Sequence, residues 1–153
     1  GEILLAPRLE ARAAHALVLS AASLGNSLTL VAPVELRLPS ALLDEVRETG
    51  AKPVQTADLE SVLRELDVLY VTRIQQERFP DPLEFERVRN AYRIDRETLE
   101  KAGKRLCILH PLPRVREIDP DVDSMEGALY FRQAHNGVTV RKALLALLLG
   151  VEP

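Results

Sequence analysis

A single cysteine, Cys107, stands in this chain of 153 residues. An internal disulfide is therefore excluded, and a reducing, cytoplasmic setting is expected. The three histidines lie far apart in sequence and, beside a lone cysteine, form no metal-binding pattern, so neither a metal nor another cofactor is expected. No apolar run reaches the roughly 18 residues of a membrane span. The longest, from Ala143 to Leu149, lies within an amphipathic pattern. The amino terminus does not read as a signal peptide. No basic stripe stands clear of neighbouring acids in a chain of net charge -3, which removes the electrostatic case for nucleic acid. No glycine-rich loop follows the first apolar run. The segment APRLEAR offers no backbone cradle for phosphate, which argues against a flavodoxin-like nucleotide binder. Repeats, low-complexity tracts and flexible linkers are also absent.

What remains is an ordinary globular composition, 46% apolar and 28% charged, long enough for one domain with a real core. Short apolar runs alternate with helical patterns. Ile3–Ala6, Leu28–Ala32, Pro53–Gln55, Asp67–Val71 and Leu106–Leu109 read as strands. Helices are expected from about Leu9 to Ser23, Ser40 to Thr49, Thr56 or Asp58 to Leu66, Asp95 to Ala102, and from Tyr130 onward. Pro39, Gly25, Gly50 and Gly103 serve as punctuation. Arg78–Asn90 reads as an irregular loop, long enough to act as a lid. Strands separated by such helices call for right-handed crossovers. The expected fold is α/β, a doubly wound three-layer domain with a central parallel sheet of about five strands.

In that architecture ligands bind at the carboxyl ends of strands, and polar groups cluster just there. TRIQQERF (Thr72–Phe79) and HPLPRVREID (His110–Asp119) each follow an apolar run, and a third such strand end lies within Glu2–His15. Arg12, Arg73, Gln75 and Arg114 together would suit a small anion, most simply a carboxylate, which the planar guanidinium fork can grip at two points. Gln75 emerges on the same side as Arg73 if the chain stays extended. Plainer readings stand beside these. Arg73 could pair with Glu77 at the surface, and Arg114 with Glu117. His110, with no carboxylate among its immediate neighbours, reads as a loop-organising histidine and not a general base. His15 reads as a helix-face histidine, Gln133 as a cap on backbone, and His135-Asn136-Gly137 as a place where the last helix could break. Cys107 reads as a small apolar filler. The Leu112–Pro113 bond is a candidate cis peptide.

The segments DVLYVTRIQQERF, HPLPRVREIDPDVD and ALYFRQAHNGVTVRKALLALLLG together resemble the aspartate-binding half of aspartate carbamoyltransferases, and the resemblance spans residues 1–153. By that resemblance Arg73 and Gln75 hold substrate carboxylates, Arg12 stands in register with a further binding position, and the Pro111 and Leu112 carbonyls orient the amino and carbamoyl groups. Glu77, His110 and Arg114 organise the loops, Arg78–Asn90 closes over the substrate, and the last helix packs on the other half of the enzyme. Pro111, where ornithine-specific relatives carry cysteine, favours L-aspartate as ligand. The implied partner is a carbamoyl-phosphate-binding domain, missing from these 153 residues, in an assembly that is homotrimeric in the family. That leaves room for a monomeric isolated domain, expected to be inactive alone. One departure from the family pattern is Ala6–Leu17, where alanines replace more polar or flexible residues. It motivates the alternative of a non-catalytic, degenerate or engineered domain used as a scaffold or assembly module.

Overall fold

The computed structural model describes residues 2–6, 12–74, 79, 81–88 and 93–151, with the backbone alone for 2–6, 12 and 13. Five strands, β1 (Glu2–Ala6), β2 (Ser27–Val31), β3 (Val54–Thr56), β4 (Val68–Val71) and β5 (Cys107–Leu109), form one sheet in the order β3-β2-β1-β4-β5. All four pairings are parallel. Chain order runs outward from β1 to β3, then restarts on the other side of β1 with β4. The winding direction thus reverses between β1 and β4.

Period-two alternation sends neighbouring side chains to opposite faces. Leu28 and Leu30 of β2 and Tyr70 of β4 pack with Val18, Ala21 and Ala22 of helix α1 (Arg12–Ser23) and Leu42, Leu43 and Val46 of helix α2 (Ser40–Glu48). Val31, Leu69, Val71 and Ile108 face the other way, onto Leu59, Leu63, Leu66, Leu99 and Ile118. Both faces are therefore covered, as a parallel sheet requires. Helix α1 stops at Ser23 because Gly25 takes φ +76, returning its amide to Ala22 while Asn26 bonds Ala21. Its first described residue is Arg12; the expected start near Leu9 lies outside the described residues.

Three expectations need correction. Residues 57–66 form successive turns and not a helix. The Leu59 carbonyl accepts from Val62 and that of Val62 from Glu65, both one residue short of the α pattern. Ser61 Oγ donates to the Asp58 carbonyl and Asp58 Oδ1 accepts from Ser61, so local side chains compete with the helical ladder. Conversely, the segment expected to be irregular contains helix α3 (Pro82–Val88). Pro82 supplies a preset first position, and Asp81 Oδ1 accepts from the Leu83 amide at 2.8 Å. The last helix, α5 (Tyr130–Leu148), runs unbroken through His135-Asn136-Gly137. The short helix α4 (Arg96–Glu100) begins as expected at Asp95, whose carboxylate accepts from Thr98.

The outer edge of β5 is covered by residues 127–129. Ile108 donates to the Gly127 carbonyl at 2.8 Å and accepts from Leu129 at 2.9 Å. That seating sets where α5 begins. A Cβ on Gly127 would stand 1.9 Å from the Leu106 carbonyl oxygen, a backbone atom that cannot swing aside. Gly127→Ala is expected to cost about 2 kcal/mol or more and to displace the start of α5. Chemical denaturation, with amide exchange at Ile108 and Leu129, measures both; an unchanged midpoint and unchanged exchange would overturn the steric argument.

Candidate functional site

The register brings the ends of β1, β4 and β5 to one rim. Ala6 is the partner of Val71 at the ends of β1 and β4, and Tyr70 is the partner of Leu109 where β4 meets β5. Adjacent strands lie about 4.8 Å apart, so the chain leaves β1, β4 and β5 within roughly two strand spacings. This is also the point where the winding reverses, the place an open α/β sheet leaves a crevice. Arg73 is half-buried two residues past the end of β4, after the buried Thr72. Arg12 opens α1 on the connection from β1. Gln75 and Glu77 lie outside the described residues.

The turn at the end of β5 is held by a connected set of hydrogen bonds. His110 is 1% exposed. Its Nδ1 accepts from the Leu112 amide at 2.8 Å, so the ring proton resides on Nε2, which donates to Glu117 Oε1 at 2.8 Å. The carboxylate that sequence neighbours did not supply thus arrives from seven residues along. Glu117 also accepts from the Val115 amide at 3.1 Å and the Arg116 amide at 3.0 Å. Burial pushes its pKa up, but these bonds outweigh burial and bring it down to about 2. Both ring nitrogens of His110 are therefore committed within the turn.

That commitment aims a carbonyl. The Pro111–Leu112 peptide is trans, since only Leu112–Pro113 is cis. A planar trans unit sets its N–H and C=O in opposite directions. With the Leu112 amide turned onto the buried ring, the Pro111 carbonyl must face away from it, on a residue that is itself exposed. Leu112 holds φ +54, a region a leucine enters only under constraint. Its side chain is half-buried against the core.

Arg114 does not pair with Glu117. Its two terminal nitrogens clasp both Asp123 oxygens, the second at 2.6 Å, and it lies 5.5 Å from the Tyr130 ring centroid and 5.8 Å from that of Phe131. Asp123 holds the Arg114 pKa up, and Arg114 holds that of Asp123 down. The fully buried Tyr130 donates its hydroxyl to the same carboxylate, and burial followed by that contact pushes its pKa up to about 12. Arg114 is thus spent on fastening the turn to the first residue of α5. A groove of about 650 Å³ runs beside it, between Leu109 and Leu129 and the α5 residues Arg132, Gln133, Asn136, Gly137, Val140 and Arg141.

Gln133, which the sequence offers as a cap on backbone, does bond a backbone group, but a distant one: its Oε1 accepts from the His110 amide at 2.9 Å, 23 positions away just beyond β5. Among the described residues, no group of three or more His, Cys, Asp or Glu could hold a metal ion, and no helix is long and apolar enough to cross a membrane.

Because the folded pKa of Glu117 lies below its ordinary value of 4.5, its stabilising contribution is complete above that value and is lost as pH falls towards 2. From about pH 6 to about pH 3, the wild type should lose about 2 kcal/mol more than Glu117→Gln. Urea unfolding across that range checks it, and parallel curves for the two proteins would show that the carboxylate is not held as described.

The chain is similar to known proteins in sequence and fold. The family model for the aspartate/ornithine carbamoyltransferase Asp/Orn binding domain matches residues 5–148. The aspartate carbamoyltransferase catalytic subunits of Methanopyrus kandleri and Halorubrum lacusprofundi are 54% and 52% identical to it, over 91% and 90% of this chain. Those matches span 45% and 44% of the two relatives, so the chain corresponds to less than half their length. The crystallised catalytic subunit of M. jannaschii aspartate transcarbamoylase superimposes with a TM-score of 0.87 at 43% identity, covering 97% of this chain and 50% of that one. The Trypanosoma cruzi aspartate transcarbamoylase in complex with N-(phosphonacetyl)-L-aspartic acid gives 0.81 at 32% identity, over 94% and 48%. A sheet that reverses its winding between β1 and β4, with the His-Pro-Leu-Pro turn at the end of β5, is thus the Asp/Orn binding domain of the aspartate/ornithine carbamoyltransferase family, and this chain belongs to that family.

Proposed function

We propose that this chain is the L-aspartate-binding half of an aspartate carbamoyltransferase, supplying the amine side of the reaction that makes N-carbamoyl-L-aspartate and phosphate for pyrimidine synthesis. The observation that carries the reading is the convergence of three strand ends at the winding reversal, with one carbonyl aimed outward by a buried histidine. Aspartate is favoured over ornithine by the names of the similar catalytic subunits and by Pro111 in the turn.

Arg73 and Gln75 take one carboxylate of the substrate, and Arg12 takes the other. The Pro111 and Leu112 carbonyls accept from the amine and orient it. Glu77, His110 and Arg114 keep the surrounding loops in place. In the transfer the amine nitrogen bonds to the carbamoyl carbon while the bond to the phosphate oxygen breaks, and the nitrogen gives up a proton. No covalent protein intermediate is needed; holding both reactants in register and stabilising the tetrahedral oxyanion supply the acceleration. Carbamoyl phosphate would be held by a second domain, so this chain alone is expected to produce no carbamoyl aspartate. Helix α5 is suited to dock on that domain. Of its residues only Tyr130 is buried, while Val140, Leu144 and Leu147 form an exposed stripe at helical spacing. A homotrimer, as in the resemblance, belongs to the joined protein.

Titration with succinate or L-aspartate, followed by amide shifts, tests the binding role. Saturable shifts near Arg73 and Leu112, abolished in Arg73→Ala, are expected; silence at tens of millimolar would favour a non-catalytic scaffold instead. The docking role makes a separate prediction. Leu144→Gln with Leu147→Gln, both on the exposed stripe, should change this chain's unfolding free energy by less than about 0.5 kcal/mol each. The pair should prevent recovery of activity on mixing with a carbamoyl-phosphate domain. Undiminished recovery would remove α5 from the interface.

A further inference from the structure

We propose that Gln133 is a positioning residue that ties the seating of α5 to the aim of the Pro111 carbonyl. A glutamine that merely capped its helix would bond backbone within α5. This one reaches across to two strands. Its Oε1 accepts from the His110 amide at 2.9 Å, just beyond β5, and the side chain also bonds the hydroxyl of Tyr70 on β4. With the oxygen taken by His110, the amide nitrogen is the group left to donate to Tyr70. Tyr70 is 8% exposed, so its hydroxyl has few alternative partners.

The chain of contacts then runs in one direction. Gln133 fixes the His110 backbone; the His110 ring fixes the Leu112 amide at 2.8 Å and is braced by Glu117 at 2.8 Å; the Leu112 amide, through its planar peptide, sets the Pro111 carbonyl. At the other end, α5 is held to the domain by Tyr130 and Gln133 at its start, while the stripe beyond them is uncovered. A partner that moves α5 would therefore move the carboxamide, and with it the turn. The ligand-orienting consequence rests on the proposed role of the Pro111 and Leu112 carbonyls; the mechanical tie does not.

The test uses this chain and reads amide hydrogen exchange in Gln133→Leu, Gln133→Glu and Tyr70→Phe. In Gln133→Leu the His110 and Leu112 amides should exchange at least about tenfold faster, equivalent to about 1.4 kcal/mol, while Leu69 and Ile108 in the sheet stay near the wild-type rate. Gln133→Glu keeps an acceptor for the His110 amide and should restore protection. Tyr70→Phe loosens only the far end of the carboxamide and should give the same pattern at smaller amplitude, which decides the matter should the leucine variant not fold. Unchanged exchange at Leu112, or acceleration spread equally over the sheet, would overturn the proposal. With succinate present, Gln133→Leu should weaken binding about tenfold while the shift near Arg73 persists. A wild-type chain silent to succinate would count against the aspartate reading, and the exchange pattern would still decide the role of Gln133.

Discussion

Because the parallel sheet is covered on both faces, polar groups have only the ends of its strands on which to act, and the rest of the molecule follows from that constraint. Side chains of β2 and β4 are divided between two apolar clusters, leaving little room within the layers for charge. The reversal of winding between β1 and β4 then decides which end is useful. Crossovers diverge there, and the carboxyl ends of β1, β4 and β5 share one rim. The candidate site at this rim is a consequence of topology before it is a consequence of any single residue.

Within the rim, buried polar atoms are satisfied as a set. His110 illustrates the cost of failing to do so, since an imidazole 1% exposed and short of partners would be strongly unfavourable. Each of its nitrogens is bonded, and its main-chain amide is bonded too. The same logic governs Arg114, Asp123 and Tyr130, where one carboxylate serves a guanidinium fork and a buried hydroxyl together. Two adjacent networks therefore fasten the turn after β5, one from below through His110 and one from α5 through Tyr130. A leucine at φ +54 persists because its surroundings over-determine it.

Much of this was legible in the sequence, for identifiable reasons. LTLVA and DVLYV are continuous apolar runs bounded by polar residues, which is how a strand buried on both sides must read. The cis Leu112–Pro113 bond was also foreseen, because only proline makes that isomer cheap. Local competition was harder to see. Leu59, Leu63 and Leu66 have helical spacing, yet Asp58 and Ser61 hold the segment in turns. Pairing across the fold was not legible at all. Glu117 reaches His110 only because the turn folds back on itself, and Arg114 meets Asp123 because a 3₁₀ turn at Pro120–Ser124 brings it round. Nothing in the spacing of 23 residues between His110 and Gln133 marks them as partners; that contact exists only once α5 has been laid against β5.

The uncovered stripe of α5 gives these contacts a wider meaning. Amphipathic helices gain most of their stability from an apolar face against a partner, yet α5 offers Leu144, Leu147 and Leu148 largely to solvent. Within this chain its stability must come from its first turns, where Tyr130 is buried and Gln133 is bonded to His110 just beyond β5 and to Tyr70 on β4. A cover for the stripe would add free energy along the whole helix, and that energy could reach the rim through the same two residues. A groove separates part of α5 from the end of β5, so the helix is not packed flush there. An element secured at one end and unsatisfied along its length is well placed to report its partner's arrival to the turn it holds.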